Sequence, residues 1–373
     1  MTYPRFRVAD LIKVQKRKSK FKTNEYLDSG SISIIDQGTS AIAGYTNELE
    51  RAYDGDLPVV IFGDHTCSLK YVDFKFAIGA DGTQILRPIE SLDTRYMYYA
   101  LHTTELQQYG YQRHFKLLKE CEIAVPPIED QRRIASILAA YDDLIQVNRR
   151  RAVLLEDMAR SLFEEWFVRF RIQGHENVAM VDTPDGLVPE GWNTLKVGSV
   201  LRKFRRAERV QRQDYIPGGA IPCIDQGAEF IGGYTDNNDA LIDDPLPLCV
   251  FGDHTRILKF VTFPFASGAD GTQLLYPIDG ISPEYLYHSI CRIDLSNQHY
   301  ARHFKFLKEK CIVVPPAHLI DRFTRAAKPL MEQVQNFRFQ NRALAASRDL
   351  LLPRLISGQL SVAEAERQLR EAA

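Results

Sequence analysis

The sequence has no loop built to cradle a nucleotide: G-x-x-x-x-G-K-[ST] is absent, and so is a G-x-G-x-x-G turn between a strand and a helix. Both motifs present backbone N–H groups to phosphates, so this chain is not expected to bind ATP or a dinucleotide. Its six cysteines, Cys67, Cys121, Cys223, Cys249, Cys291 and Cys311, form no C-x-x-C pair and have no zinc-like histidine spacing. Reduced thiols and no metal are the expectation. No run of 18 apolar residues occurs, and Met1-Thr2-Tyr3-Pro4-Arg5 lacks an apolar signal core. A membrane partner is not expected, and the cytoplasm is the expected compartment. Surplus positive charge is missing too: 47 Lys and Arg against 48 Asp and Glu leave a net charge of -1. The pI near 6.8 falls short of the value above ~9 that marks a domain held on nucleic acid by bulk charge. Phosphate contacts would have to come from local stretches such as Lys16-Arg17-Lys18 and Arg202-Lys203-Phe204-Arg205-Arg206.

What the chain does have is a repeat at one constant offset of 189 residues. Ile35-Asp36-Gln37-Gly38 returns as Ile224-Asp225-Gln226-Gly227, and Gly44-Tyr45-Thr46 as Gly233-Tyr234-Thr235. Phe62-Gly63-Asp64-His65-Thr66 returns as Phe251-Gly252-Asp253-His254-Thr255. Gly79-Ala80-Asp81-Gly82-Thr83-Gln84 matches Gly268-Ala269-Asp270-Gly271-Thr272-Gln273, and Arg113-His114-Phe115-Lys116 matches Arg302-His303-Phe304-Lys305. Solenoid units are roughly 20 to 50 residues long, so each copy here is a whole domain and the chain a tandem duplication.

Within each copy, short apolar and β-branched runs such as Pro58 to Phe62, Leu69 to Val72 and Gln84 to Leu86 are separated by Gly and Asp turns and read as strands. Thr94 to Leu106 and Pro283 to Ile293 carry helical spacing, which makes the class α/β (α+β). Each copy closes on a strand-like run into a double proline, Pro126-Pro127 and Pro315-Pro316. Beyond the first, Ile134, Leu138, Tyr141, Ile145, Asn148, Ala152, Leu155, Ala159, Leu162 and Trp166 form a four-three seam, a helix of about 40 residues and roughly 60 Å. Beyond the second, Phe323, Ala327, Leu330, Val334, Phe337, Asn341 and Leu344 repeat the spacing. Antiparallel pairing is expected, with Asn148 opposite Asn341, Leu155 opposite Val334 and Leu162 opposite Ala327; a kink is expected near Pro329.

Catalytic groups are hard to find. The double prolines follow Val125 and Val314, so the polar-Pro-Pro-aromatic loop of amino-methyltransferases is missing. The repeated Asp-His-Thr invites a dyad of Asp64 and His65, but neighbours in a strand point to opposite faces and no nucleophile accompanies them. Base reading needs donors and acceptors at base edges: Gln37, His65, Gln84 and Arg113 with Gln226, His254, Gln273 and Arg302 are candidates, alongside His114, His303 and Arg256. Lys70, Lys116, Lys259 and Lys305 suit phosphates. The Gly-Ala-Asp-Gly and Asp-Gln-Gly blocks read as turns that shape the backbone around these residues.

The pattern resembles the specificity subunits of type I restriction-modification systems along nearly the whole chain. The pieces that carry the resemblance are Pro126-Pro127-Ile128-Glu129-Asp130-Gln131-Arg132-Arg133-Ile134-Ala135, Trp166-Phe167-Val168, Pro189-Glu190-Gly191-Trp192 and Leu350-Leu351-Leu352-Pro353-Arg354-Leu355-Ile356-Ser357-Gly358. It implies a target-recognition domain at 1–127, a long spacer helix at 128–171, a second target-recognition domain at 172–316, and a distal long helix with a tail at 317–373. It further implies a non-catalytic DNA reader held by two antiparallel coiled-coil helices, each domain reading half of a bipartite double-stranded site. The helices would bind two methyltransferase subunits, and restriction or translocase subunits are a further partner the resemblance allows. S-adenosylmethionine and ATP would then sit on those partners, with no cofactor in this chain. Two similar heads in inverted orientation imply an interrupted, nearly palindromic target. Rival readings are a duplicated enzyme using the Asp-His-Thr blocks, which turnover by the isolated chain would reveal, and a helical scaffold whose heads bind protein or carbohydrate, which would not retain DNA selectively.

Overall fold

The computed structural model describes residues 3–14, 19–104, 106, 113–174, 178–183, 186–203, 207–269, 271–296 and 302–372. Lys16-Arg17-Lys18, Phe204-Arg205-Arg206 and Asp270 lie outside the described residues. Two compact units divide the chain: residues 1–147 with 340–373, and residues 148–339.

In the first unit the elements are β1 (Arg5–Arg7), α1 (Val8–Leu11), β2 (Ile12–Val14), β3 (Ile32–Ile35), β4 (Gly44–Thr46), β5 (Val59–Gly63), β6 (Leu69–Val72), β7 (Phe76–Ile78), β8 (Thr83–Pro88), α2 (Thr94–Leu101), α3 (Phe115–Glu120) and β9 (Glu122–Ala124). The long helix α4 (Ile128–Phe167) follows. An antiparallel sheet runs β2-β8-β5-β6, and a smaller one β4-β3-β7 pairs β3 with β7 in parallel. β5, Val59-Val60-Ile61-Phe62, is buried on both faces, which is why it reads as an unbroken apolar run rather than an alternation. Asp93 caps α2 by accepting from the Tyr96 amide at 2.8 Å.

The second unit repeats this order. β10 (Met180–Thr183) and β11 (Gly186–Pro189) form a hairpin ahead of β12 (Asn193–Lys196), β13 (Arg209–Val210), β14 (Ile221–Ile224), β15 (Gly233–Thr235), β16 (Leu241–Ile242), β17 (Leu248–Gly252), β18 (Leu258–Val261), β19 (Phe265–Gly268) and β20 (Thr272–Leu275). Helices α5 (Pro283–Cys291) and α6 (His303–Glu309), then β21 (Cys311–Val314), lead into α7 (Ala317–Ser357) and α8 (Val362–Ala372). β17 pairs antiparallel with β18 and β20 as β5 does with β6 and β8.

Both long helices form as expected, and the boundary between the units falls inside each. α4 stops at Phe167, short of the expected 171, where Phe170 takes φ +55°. α7 runs through Pro329 and ends where Gly358, at φ +77°, turns the chain into the separate α8. Inside each unit the helices run antiparallel: Arg348 pairs with Asp142 in the first, while in the second Arg338 reaches Glu156 at 2.7 Å and Trp166 meets Phe323 at 6.4 Å between ring centroids. Leu162 packs against the cluster that holds Ala327.

The core of the first unit draws on both ends of the chain. Val60, Phe62, Leu86 and Tyr96 pack with Ile134 and Leu138 of α4 and with Leu355, Ile356, Leu360, Val362 and Ala365 of the C-terminal segment. Each fully buried aliphatic side chain contributes on the order of 1.5–3 kcal/mol. The expected separation of residues 317–373 from the first head therefore differs from the units observed, because the end of α7 and α8 supply part of that head's core. Among the described residues, no helix is long and apolar enough to cross a membrane.

Candidate nucleic-acid interface

The repeated blocks converge at the loops joining the two sheets of each unit. The Asp36-Gln37-Gly38 turn leaves β3, and Asp36 fixes it by accepting from the Gly38 amide at 2.8 Å. Gln37 then meets the loop after β5: its Oε1 accepts from the His65 amide at 3.2 Å, and its backbone carbonyl accepts from the Thr66 hydroxyl. The second unit repeats each bond, Gly227 to Asp225 at 2.8 Å, His254 to Gln226 at 3.1 Å and Thr255 to Gln226 at 2.7 Å. Gly82 lies over this pair at φ +89°, where a Cβ would stand 2.5 Å from Gln37 Oε1. Only glycine combines that φ with so close an approach.

Asp64 does not serve His65. Its carboxylate accepts from the Phe115 amide at 2.7 Å, while its carbonyl faces His114 Nδ1 at 3.0 Å. Asp253 holds Phe304 and His303 at the same two distances. These bonds pin the start of α3 and α6 beside the Gln-His loop, and so place Arg113, Lys116, Arg302 and Lys305, all exposed, next to it. Each unit thus presents a partly exposed amide and imidazole flanked by two cations, an arrangement matched to base edges and phosphates. Among the described residues, no group of His, Cys, Asp and Glu is spaced to hold a metal.

Residues 2–157 match the family Type I restriction modification DNA specificity domain. The 189-residue repeat carries the same blocks through the second unit. The matched domain identifies residues 2–157 with that family, and the chain as a whole is similar to type I restriction enzyme specificity subunits. Among its relatives, the Type I restriction enzyme MjaIX specificity subunit of Methanocaldococcus jannaschii is 27% identical over 320 residues, covering 76% of this chain and 73% of that one. The EcoR124I/EcoR124II specificity subunit of Escherichia coli is 34% identical over 92 residues, 24% of this chain and 23% of that one. The fold is that of the solved S subunit of the type I system from M. genitalium, with a TM-score of 0.57 at 16% identity over 95% of this chain and 96% of that one.

Several candidate residues turn inward. His114 has no exposed surface and His303 is buried. Lys70 and Lys259 donate from Nζ to the carbonyls of Asp36 and Asp225, each at 2.8 Å, with the carboxylates at 3.7 Å. Burial lowers both ammonium pKa values, partly opposed by the aspartates. Gln84 is buried in β8 and Gln273 half-buried in β20. His114, His303, Lys70, Lys259 and Gln84, all expected to face DNA, are thus the candidates with the least open side-chain surface. Gln37, His65, Gln226, His254, Arg256, Arg113, Lys116, Arg302 and Lys305 keep surface. Arg256 sits at φ +64°, its guanidinium donating to the Leu295 carbonyl at 3.2 Å. The positioning roles of Asp64, Asp253, Thr66 and Thr255 escaped the sequence reading. Their one signal was exact repetition, which identifies shared residues without separating anchors from contacts.

Proposed function

We propose that this subunit reads a bipartite, interrupted and nearly palindromic double-stranded DNA site, one half with each head, and performs no chemistry itself. The observation that carries the proposal is the bond-for-bond repetition of the Gln-His loop and its neighbouring cations in both units. Like surfaces read like base sequences, and a duplicated reader matches a duplicated half-site. Methyltransferase subunits, two in number, would dock on the helices and hold S-adenosylmethionine; restriction subunits, where present, would hold ATP. The cytoplasm is where such an assembly would meet its DNA.

Co-expression with a cognate methyltransferase in a methylation-free host, followed by single-molecule mapping of modified bases, tests this. The expected outcome is a gapped motif with two similar halves, one of which relaxes when Gln37, His65 and Arg113 are changed to alanine. Unrelated halves would remove the palindrome, and a stable complex without any motif would remove the reader.

A further inference from the structure

The two units differ where each head meets the helices. In the first, Tyr99 of α2 donates its hydroxyl to Asp142 of α4 at 2.6 Å, and Arg348 of α7 closes on the same carboxylate. Shifted by the repeat offset, Tyr99 becomes His288, Asp142 becomes Met331, and Arg348 becomes Ala159. The second unit thus loses the hydroxyl, the carboxylate and the long guanidinium together. In their place is a cavity of about 660 Å³, with Phe163, Phe260, Tyr287 and His288 among its walls. That volume lies within the roughly 300–1,000 Å³ of ordinary small-molecule sites.

His288 is only 5% exposed, stacks on Phe163 at 5.6 Å, and leaves its buried Nε2 without a hydrogen-bond partner among the described residues. A buried polar atom left unpaired costs about 1–3 kcal/mol, so its retention calls for a partner. The cavity wall itself carries four cations, Arg160, Lys259, Arg292 and Arg338, and two carboxylates, Glu156 and Glu164. Arg338 is matched by Glu156 and Lys259 by Asp225. Arg160 reaches Asp157 at 2.8 Å from an exposed position, which leaves Arg292 and Glu164 on the wall. Burial first, and Arg160 second, keep the His288 imidazole neutral at ordinary pH. A neutral ring can offer one N–H, and Nε2 is where the geometry needs it.

We propose that this cavity binds a small aromatic monocarboxylate, whose carboxylate accepts from His288 Nε2 as Asp142 accepts from Tyr99 in the first unit, and whose ring lies among the aromatic walls. The ligand restores the anion that Met331 removed. This site is separate from the DNA-reading loops and stands or falls independently of them.

Calorimetric titration of the full chain with 2-naphthoate, and with the neutral 2-naphthamide, tests the proposal. Saturable one-to-one binding of the anion is expected, with the amide at least tenfold weaker. His288→Phe keeps the cavity apolar and should weaken naphthoate at least tenfold. Ala159→Arg with His288→Tyr and Met331→Asp rebuilds the first unit's triad and should abolish binding; if that variant does not fold, the single substitution decides. No saturable binding, equal binding of anion and amide, or unchanged binding by His288→Phe would each overturn it.

Discussion

Lys259 holds Asp225 from inside the second head: its ammonium donates to the aspartate's backbone carbonyl at 2.8 Å and stands 3.7 Å from the carboxylate, with 4% of the side chain exposed. The same lysine also reaches the carbonyl of Glu229 at 2.5 Å. It clamps the base of the Asp-Gln-Gly turn, and Lys70 does the same with Asp36. A cation that looked suited to DNA in the sequence is a bolt for the loop that faces it.

Lys259→Met should therefore act on stability. Removing one partner leaves a half-buried aspartate uncompensated, and such losses run to about 3 kcal/mol. Chemical denaturation should show that loss, while the salt dependence of DNA binding by the folded complex stays as in the wild type. A reduced salt slope with unchanged stability would return Lys259 to the phosphate backbone.

Lys116 and Lys305 should behave oppositely. Both are exposed at the start of helices pinned beside the Gln-His loop. Alanine at either position is expected to change stability by less than about 0.5 kcal/mol. It should weaken DNA binding by the assembled complex for all sequences and lower the log-affinity against log-salt slope by about 1 per lysine. Titrations at several salt concentrations measure both.

The C-terminal segment should govern the first head and leave the second folded. Leu355 is fully buried in the first unit's core beside Ile356 and Leu360. Leu355→Ala is expected to cost roughly 3 kcal/mol, from lost transfer energy plus a cavity. Hydrogen exchange should show faster opening across β5 and α2 and unchanged protection of β17 and α5.

Acid should weaken the second unit through His288. Its pKa falls from an unfolded value near 6.5 to about 4, because burial and Arg160 disfavour the imidazolium. The folded state binds the proton less well than the unfolded state, so the stability held above pH 6.5 drains as the pH drops toward 4, by roughly 3 kcal/mol in the limit. Glu284, whose carboxyl is pushed up by burial, works the other way over an overlapping range. The difference between wild type and His288→Phe isolates the histidine: the variant should lose the part of the acid slope between pH 6.5 and 4.

Much of the architecture was legible because it is written in local periods. The unbroken apolar run from Val59 to Phe62, the double prolines that follow β9 and β21, and the four-three seams of α4 and α7 each need only neighbouring residues to be read. Helix ends were less legible: α4 stops at Phe167, and the left-handed backbone at Phe170 just beyond it is announced by no apolar pattern.

The sequence by itself determined the duplication, the mixed strand-and-helix heads, the two long helices and the absence of nucleotide motifs, since spacing and residue type suffice for these. The tertiary structure alone decided which repeated polar groups face inward. Lys70 meets Asp36 across 34 residues of chain, and Asp64 meets Phe115 across 51. Whether a lysine reaches solvent depends on what the fold closes over it, and that closure is a long-range property. The same reason returned Leu355 to the first head, and let Ala159, Met331 and His288, unremarkable in the chain, open a cavity together.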